Sequence, residues 1–251
     1  MIWIFPMAGR GKRTQELGEF KPFIIVDDKL ILEWLITGIK QNLQQNDKLV
    51  FITTDYFEER YLVTQTISTI LEKYGIKNEI IVHTIREILD GPAKTIYEAR
   101  EYYRNDEQVT ICNTDQFVVI DLKRSFESEN HIGYIPIYLS RNPKSSFVNL
   151  DGNTDKITQI KEKEQISNYA SSGIYYFRTG KLLIQALEKM FRDQIMVNNE
   201  YYIGPAINYL LSGEKYFKAQ YVQVKYDLGN TESINKFHQL TKCFRGDADG
   251  L

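Results

Sequence analysis

Residues 1–13 read MIWIFPMAGRGKR, a short apolar run that breaks directly into a loop of glycines and cations. The apolar run predicts a buried strand over residues 2–5, at the start of a βα unit. The glycines and cations of the loop are Gly9, Arg10, Gly11, Lys12 and Arg13. Glycine lets the backbone approach a ligand closely, and bare N–H groups beside positive charge suit a polyphosphate. The stretch therefore points to nucleotide chemistry.

Two common nucleotide motifs do not fit this loop. The dinucleotide fingerprint needs a third glycine where this chain has Thr14. The Walker A pattern needs Ser or Thr directly after Gly-Lys, and Arg13 stands there. The alternative is a solvated basic turn after an edge strand. A second cationic element, Lys21-Pro22, favours the phosphate site over that alternative.

The bulk composition bounds the possible partners. The 251 residues carry a net charge of −2, which argues against general nucleic-acid binding because that needs a basic face. Cys112 and Cys243 lie far apart in the sequence and do not form a metal or disulfide framework, so a reducing cytoplasm is expected. Apolar runs are too short for a membrane span, and the N-terminus lacks the order of a signal peptide. We expect a cytoplasmic protein without membrane insertion.

The pattern of apolar residues changes near residue 130. Before it, short apolar runs alternate with segments of helical period, which is typical of βα units and a largely parallel sheet. The predicted elements there are strands 2–5, 49–53, 79–82 and 109–112 and helices near 32–43, 67–74 and 92–103. After it, the predicted elements are strands 131–140, 146–150, 156–161, 171–177 and 218–224 and helices 180–191 and 201–211. We predict one α/β domain over residues 1–240 and a polar, loosely held tail over 241–251.

Two carboxylates follow predicted strands. Asp115 comes just after the fourth strand, and Asp227 follows the late strand. Ligands of open α/β sheets bind at the carboxyl ends of strands, although a lone Asp there is often a turn former or a helix cap. If the two strands are neighbours, both carboxylates could share one Mg²⁺ with phosphate oxygens.

Nucleophile-and-base chemistry has little support. The chain has three histidines, and no serine lies in a Gly-x-Ser-x-Gly elbow. Phosphoryl-type transfer suits this scarcity, because an ionised phosphate can attack without a general base.

In order along the chain, several segments resemble the sugar-nucleotide pyrophosphorylases, nucleotidyltransferases of the glucose-1-phosphate thymidylyl- and uridylyltransferase type. The matching segments are residues 6–13 with Lys21-Pro22, LDGPA at 89–93, NTD at 113–115, IKEK at 160–163, SGIYYF at 172–177, NEYY at 199–202 and DLGN at 227–230. The resemblance implies a three-layer, Rossmann-like mixed sheet, mostly parallel, with helices on both faces. It also implies a nucleotide half over about residues 1–130 and an acceptor half over about 131–240.

The resemblance further implies transfer of a nucleoside monophosphate from a nucleoside triphosphate to a phosphorylated small-molecule acceptor, with release of pyrophosphate. Implied catalytic residues are Arg13 and Lys21, and implied Mg²⁺ ligands are Asp115 and Asp227. The implied nucleotide contacts are Ala8, Gly9, Arg10, Gly11, Lys12, Gly91 and Asn113. The implied acceptor contacts are Lys163, Gly173 and Glu200.

The acceptor half departs from the family pattern. Glu164 stands where a proline usually follows the Glu-Lys pair, and residues 113–116 replace the more usual Gly-Asp-Asn. Variants of this kind in capsule and surface-polysaccharide pathways transfer cytidylyl groups to acceptors other than hexose phosphates. The resemblance therefore favours CTP, with L-glutamine phosphate as the acceptor. Its alternatives are uridylyl or thymidylyl transfer to a sugar 1-phosphate and a non-catalytic, nucleotide-binding regulatory subunit.

Two further classes fit less well. A glycosyltransferase of the related GT-A type would want an Asp-x-Asp pair where this chain has Asn113-Thr114-Asp115. A dinucleotide-dependent oxidoreductase would want glycine at Thr14. The base and the acceptor cannot be read from side chains, and assembly into a homo-oligomer stays open.

Overall fold

A computed structural model of the protein describes residues 1–9, 16–211 and 213–245, with side chains as far as residue 242. The strands in these ranges are β1 Ile2–Pro6, β2 Ile25–Val26, β3 Lys29–Leu30, β4 Lys48–Thr54, β5 Glu79–Ile85, β6 Val109–Cys112, β7 Gln116–Val119, β8 His131–Leu139, β9 Ser146–Leu150, β10 Lys156–Glu162, β11 Tyr169–Ser171, β12 Ile174–Phe177, β13 Tyr216–Tyr221 and β14 Val224–Asp227. The α-helices are α1 Ile31–Ile39, α2 Asp55–Tyr61, α3 Val63–Lys73, α4 Pro92–Glu98, α5 Gly180–Arg192, α6 Ile203–Asn208 and α7 Thr231–Arg245. Short 3₁₀ helices span Lys21–Phe23, Lys40–Asn42 and Arg100–Tyr102.

One ten-stranded sheet runs through both halves of the chain, in the order β11-β9-β10-β13-β8-β12-β6-β1-β4-β5. Strands β6, β1, β4 and β5 are parallel to one another. Strand β12 joins them antiparallel to β6, and beyond it, among the described strands, β8 and β13 form the one parallel pair. The mixed α/β sheet expected from the sequence is therefore confirmed, with its continuous parallel part in the nucleotide half.

The sheet has a hydrophobic core on each face. Along β1, Trp3 and Phe5 pack with helices α1 to α3, whereas Ile2 and Ile4 pack with helices α4 to α6. Alternate residues of a strand point to opposite faces, so a run that is apolar at every position predicts a strand covered on both sides. The expected helices on both faces are present. None of the helices in the described ranges is long and apolar enough to cross a membrane.

The predicted strands at 171–177 and 218–224 are each two separate strands in the structure. The first becomes β11 and β12, which separate at Gly173, a residue with φ of 82°. The second becomes β13 and β14, because the chain changes partner between two residues. Val222 donates to the carbonyl of Ile137 in β8, whereas Gln223 donates to that of Val119 in β7. The predicted helix over 92–103 is also shorter, since α4 ends at Glu98 and a 3₁₀ turn follows.

The polar tail predicted from residue 241 is wrong at its start. Helix α7 continues to Arg245, and the side chains of His238 and Thr241 both hydrogen-bond the carboxylate of Asp27. Phe237 of the same helix packs against Trp34. These contacts hold α7 against the β2–β3 hairpin. Residues 246–251 lie outside the described part of the chain.

Helix α1 approaches strand β7 unusually closely. A Cβ added at Gly38 would lie 2.1 Å from the carbonyl oxygen of Val118. Gln41 and Asn42, just after the helix, both donate to the carbonyl of Ile120. Because β7 directly follows Asp115, this packing fixes the backbone on which that carboxylate lies.

Candidate functional site

Lys21 lies at the carboxyl end of the parallel strands, on the short 3₁₀ helix that follows the opening loop. The ring of Phe20 packs against Phe23, Phe57 and Tyr61, which anchors this turn. The Lys21 Nζ atom lies 3.2 Å from Oδ2 of Asp115. The expected phosphate-binding lysine and the expected metal ligand therefore form an ion pair.

Strands β7 and β14 bring the two predicted metal ligands together. In their antiparallel register Asp227 faces Gln116, and Leu228 donates to the carbonyl of Asp115 at 2.8 Å. A Cβ added at Gly229 would lie 2.9 Å from Asp115 Oδ2 and 3.0 Å from Asp227 Oδ1. The two carboxylates thus border one gap that stays open because residue 229 has no side chain.

The start of helix α7 holds the carboxylate of Asp227. Asn230 Nδ2 and Ser233 Oγ donate to Oδ2 at 3.0 and 3.1 Å, and the Gly229 N–H donates to Oδ1 at 3.3 Å. Asn230 also caps the helix, since its Oδ1 accepts from the Ser233 N–H at 3.0 Å. Asn230 and Ser233 were not predicted from the sequence as positioning residues. Their only sequence signal is the helix-start pattern Asn-x-x-Ser.

The carboxylate pair fits a hard divalent cation that is completed by other ligands. Asp115 and Asp227 present oxygen ligands, and Mg²⁺ commonly takes one or two carboxylates while substrate phosphates and waters supply the rest. In the part of the chain that the structure describes, no group of three or more His, Cys, Asp or Glu side chains could hold a metal ion alone. The donor set therefore suits Mg²⁺ bound together with a nucleotide.

The nucleotide and acceptor halves meet at Asn113 and Gly173. The Asn113 N–H donates to the carbonyl of Gly173 at 3.0 Å. A Cβ at Gly173 would lie 2.8 Å from Asn113 Nδ2. Because Gly173 also has a positive φ, both its backbone conformation and the nearby Asn113 side chain favour glycine there.

A second group of predicted residues surrounds Lys163. Its Nζ hydrogen-bonds the hydroxyl of Tyr202 and lies 3.9 Å from Glu200 Oε2. Tyr202 in turn donates to Glu200. The expected acceptor residues Lys163 and Glu200 are therefore neighbours. Their side chains bring a positive and a negative charge close together.

Gly91 packs against the backbone of Tyr201 and the side chain of Glu200. A Cβ at Gly91 would lie 2.6 Å from the Tyr201 backbone nitrogen and 3.0 Å from Glu200 Cβ. Its φ of 98° is also unfavourable for other residues. Gly91 thus has a clear packing role, and its contact with the base stays a prediction.

The opening loop is only partly described. Ala8 is buried, and among the described residues no atom lies within 4 Å of the position where a Cβ at Gly9 would stand. Arg10, Gly11, Lys12 and Arg13 lie outside the described residues, so their proposed contacts stay predictions.

Glu162, at the end of β10 and next to Lys163, is a candidate site residue that was not predicted from the sequence. Burial raises the pKa of its carboxyl to about 7, although Ser146 and the Lys163 ammonium lower it. The signal was the Glu-Lys pair at 162–163, of which only the lysine was assigned a role. A half-buried carboxyl beside Lys163 can hold or lose a proton near neutral pH.

Replacing Glu162 by glutamine should change how stability depends on pH. Between about pH 4.5 and 7 the unfolded chain loses this proton while the folded chain keeps it, so the free energy of unfolding falls as the pH rises. Glu162→Gln should abolish that decline and be more stable than the wild type at pH 8 by roughly 1–3 kcal/mol. Urea unfolding from pH 4.5 to 8 checks this, with the exposed neighbour Glu164→Gln as control. Parallel pH curves for wild type and Glu162→Gln would contradict the assignment.

Comparison with known proteins identifies the family. A family model described as "Nucleotidyl transferase" matches residues 8–242. The nucleoside-diphosphate-sugar pyrophosphorylase from Vibrio cholerae RC9 has a similar structure, with a TM-score of 0.80, 19% identity, and 95% of this chain and 100% of that chain covered. The inositol-1-phosphate CTP transferase from T. maritima aligns with a TM-score of 0.69 at 15% identity, covering 96% and 94%. The CTP:phosphocholine cytidylyltransferase from Streptococcus pneumoniae aligns with a TM-score of 0.65 at 14% identity, covering 96% and 99%.

Identities this low show the fold alone. Among curated protein sequences, none matched this chain. The family model spans nearly the whole chain and agrees with the order of the resembling segments. The chain therefore belongs to the nucleotidyl transferase family.

Proposed function

We propose that this protein is a Mg²⁺-dependent nucleotidyltransferase that moves a nucleoside monophosphate from a nucleoside triphosphate to a phosphorylated small-molecule acceptor and releases pyrophosphate. One observation carries the proposal. Asp115 and Asp227 border a single gap beside Gly229, and Lys21 is paired with Asp115. Two carboxylates and one ammonium at the carboxyl end of a parallel sheet suit the phosphates of a metal-bound nucleotide.

The reaction needs no general base from the chain. An ionised phosphate oxygen of the acceptor attacks the α-phosphorus in line. As that P–O bond forms, the bond to the β-phosphate breaks and its electron pair leaves with pyrophosphate. When bound, Mg²⁺ supplies charge neutralisation at the phosphates.

Asp115 and Asp227 hold the metal, and the Lys21 ammonium stabilises charge that develops at the α-phosphate. Arg13 and the loop over Ala8–Lys12 bind the departing pyrophosphate. Asn113 and Gly91 contact the nucleoside.

In the acceptor half, Lys163, Gly173 and Glu200 bind the acceptor. Lys163 docks its phosphate, and the Glu200 carboxylate beside that ammonium suits a polar or cationic group on the same molecule. We further propose CTP as the donor and L-glutamine phosphate as the acceptor, in capsule or surface-polysaccharide biosynthesis in the cytoplasm. Two proteins of similar structure are named for transfer from CTP, one to inositol 1-phosphate and the other to phosphocholine. They support the proposal because their names pair this fold with CTP and with phosphorylated acceptors of this kind.

A thermal-shift panel of CTP, UTP, dTTP, ATP and GTP with Mg²⁺ tests the donor. A nucleotide at 100 times its dissociation constant should stabilise the protein by about 2.7 kcal/mol, and we expect CTP to give the largest shift. Pyrophosphate release is then measured with that nucleotide and a panel of L-glutamine phosphate, phosphocholine and glucose 1-phosphate. Turnover of glucose 1-phosphate with UTP or dTTP would support the sugar-nucleotide alternative. No shift with any nucleotide would remove the proposal.

A further inference from the structure

Lys225 shares strand β14 with the metal ligand Asp227, and neither the family resemblance nor the proposed mechanism uses it. Side chains two residues apart on a strand lie on the same face, roughly 7 Å apart along it. The intervening Tyr226 points the other way and packs against Phe117 and Phe237. Strand β14 therefore presents a lysine and a carboxylate side by side toward the site.

The surroundings of Lys225 link the two halves of the site. The side chain is half-buried and within electrostatic range of Asp115 and Asp227. Its Nζ also lies 5.9 Å from the ring centre of Tyr138, at the end of β8 in the acceptor half. An anion bound at this ammonium would lie between the carboxylate pair and the acceptor half.

Lys225 differs in its partners from Lys21, Lys163 and Lys218, three other partly buried lysines. Lys21 pairs with Asp115, Lys163 with Tyr202 and Glu200, and Lys218 with Glu127 and Asp155. Within the described ranges, the hydrogen bond of Lys225 is to the carbonyl of the adjacent Tyr226, at 3.4 Å. That distance exceeds the usual range for an N–H···O bond. A half-buried ammonium with one long hydrogen bond has donors left for a ligand.

We propose that Lys225, in addition to Lys163, binds the phosphate of the acceptor and holds its attacking oxygen beside the Asp115–Asp227 pair, as a catalytic residue of the transfer. This inference rests on the proposed function. Lys21 contacts Asp115 from the nucleotide half, and Lys225 lies near Tyr138 of the acceptor half. The two lysines would therefore act on the α-phosphate and on the attacking phosphate respectively. The new P–O bond forms on the Lys225 side, and the bond to the leaving pyrophosphate breaks on the opposite side.

A purely structural role makes a different prediction. If Lys225 only offsets the negative charge of the two carboxylates, removing it should strengthen Mg²⁺ binding and leave the acceptor KM unchanged. If it binds the acceptor phosphate, the acceptor KM should rise and the nucleotide KM should stay constant.

Lys225→Met keeps the length of the side chain and removes its charge. We expect it to raise the acceptor KM and lower kcat/KM for the acceptor by about 10- to 100-fold, with the thermal shift from nucleotide and Mg²⁺ unchanged. Lys225→Arg should recover part of the loss. Lys156→Met is the matched control, because that lysine also lies over a tyrosine ring, at 4.5 Å from Tyr216, but outside the site. Acceptor kinetics within twofold of wild type, or a change confined to the Mg²⁺ dependence, would overturn the inference.

Calorimetric binding of inorganic phosphate in the presence of CTP and Mg²⁺ gives a readout that needs no turnover. Weaker phosphate binding by Lys225→Met than by wild type supports the inference, and equal binding overturns it.

Failure of the proposed function would look different, because the wild type would then release no pyrophosphate with any pair of donor and acceptor. If Lys225→Met does not fold, Lys225→Gln replaces it in the same measurements.

Discussion

Replacing Asp227 by asparagine is expected to lower the rate of pyrophosphate release by about 100- to 1,000-fold. The change keeps the size of the side chain but removes one of the two carboxylates that border the gap beside Gly229. The remaining charge of Asp115 is already shared with Lys21, at 3.2 Å. Steady-state kinetics with saturating nucleotide and acceptor measure the effect, and the Mg²⁺-dependent part of nucleotide binding should fall with it.

The same change at Asp151 is the matched control. Asp151 is an exposed carboxylate in the turn after β9, outside the site, and Asp151→Asn should leave the kinetics within twofold of wild type. Asp227→Asn also loses favourable contacts with the start of α7, so its folding is checked by thermal unfolding. A folded Asp227→Asn variant with near wild-type turnover would contradict the metal site.

Gly38→Ala is expected to destabilise the protein by about 1–3 kcal/mol. Its new methyl group would meet the carbonyl of Val118 at 2.1 Å, so helix α1 or strand β7 must move. Urea unfolding measures the loss, and Thr37→Ala in the same helix should stay within roughly 0.5 kcal/mol of wild type. Since β7 pairs with β14, the variant should also lose activity at temperatures where it is still folded. Unchanged stability would show that the close helix–strand approach is not required.

Much of the nucleotide half could be predicted from the sequence because its signals are local. The buried strand before the opening loop and the carboxylate after the fourth strand each follow from a few adjacent residues. The sequence predicted that Asp115 and Asp227 would be close only if the strands before them were neighbours. The structure brings the two residues together through a strand pairing that was not predicted. The contact runs through β7 and β14, which pair because the chain changes partner at Gln223. No residue type marks that change.

The remaining features depend on contacts between distant residues. Gly229 reads as an ordinary turn glycine until the two carboxylates beside it are known. The prediction was wrong for the start of the tail because Thr241 is polar, and its partner Asp27 is more than 200 residues away. The environments of Glu162 and Lys225 are likewise products of burial, which no local pattern reports.

The most direct test of the proposed transfer is ³¹P NMR of the wild-type protein with CTP, Mg²⁺ and each phosphorylated acceptor in turn. We predict that pyrophosphate and a new phosphoanhydride-linked product appear in equal amounts with at least one acceptor. Release of inorganic phosphate without a linked product would mean hydrolysis and not transfer. That result, or unchanged CTP and acceptor at enzyme concentrations comparable to the substrates, would contradict the proposed reaction.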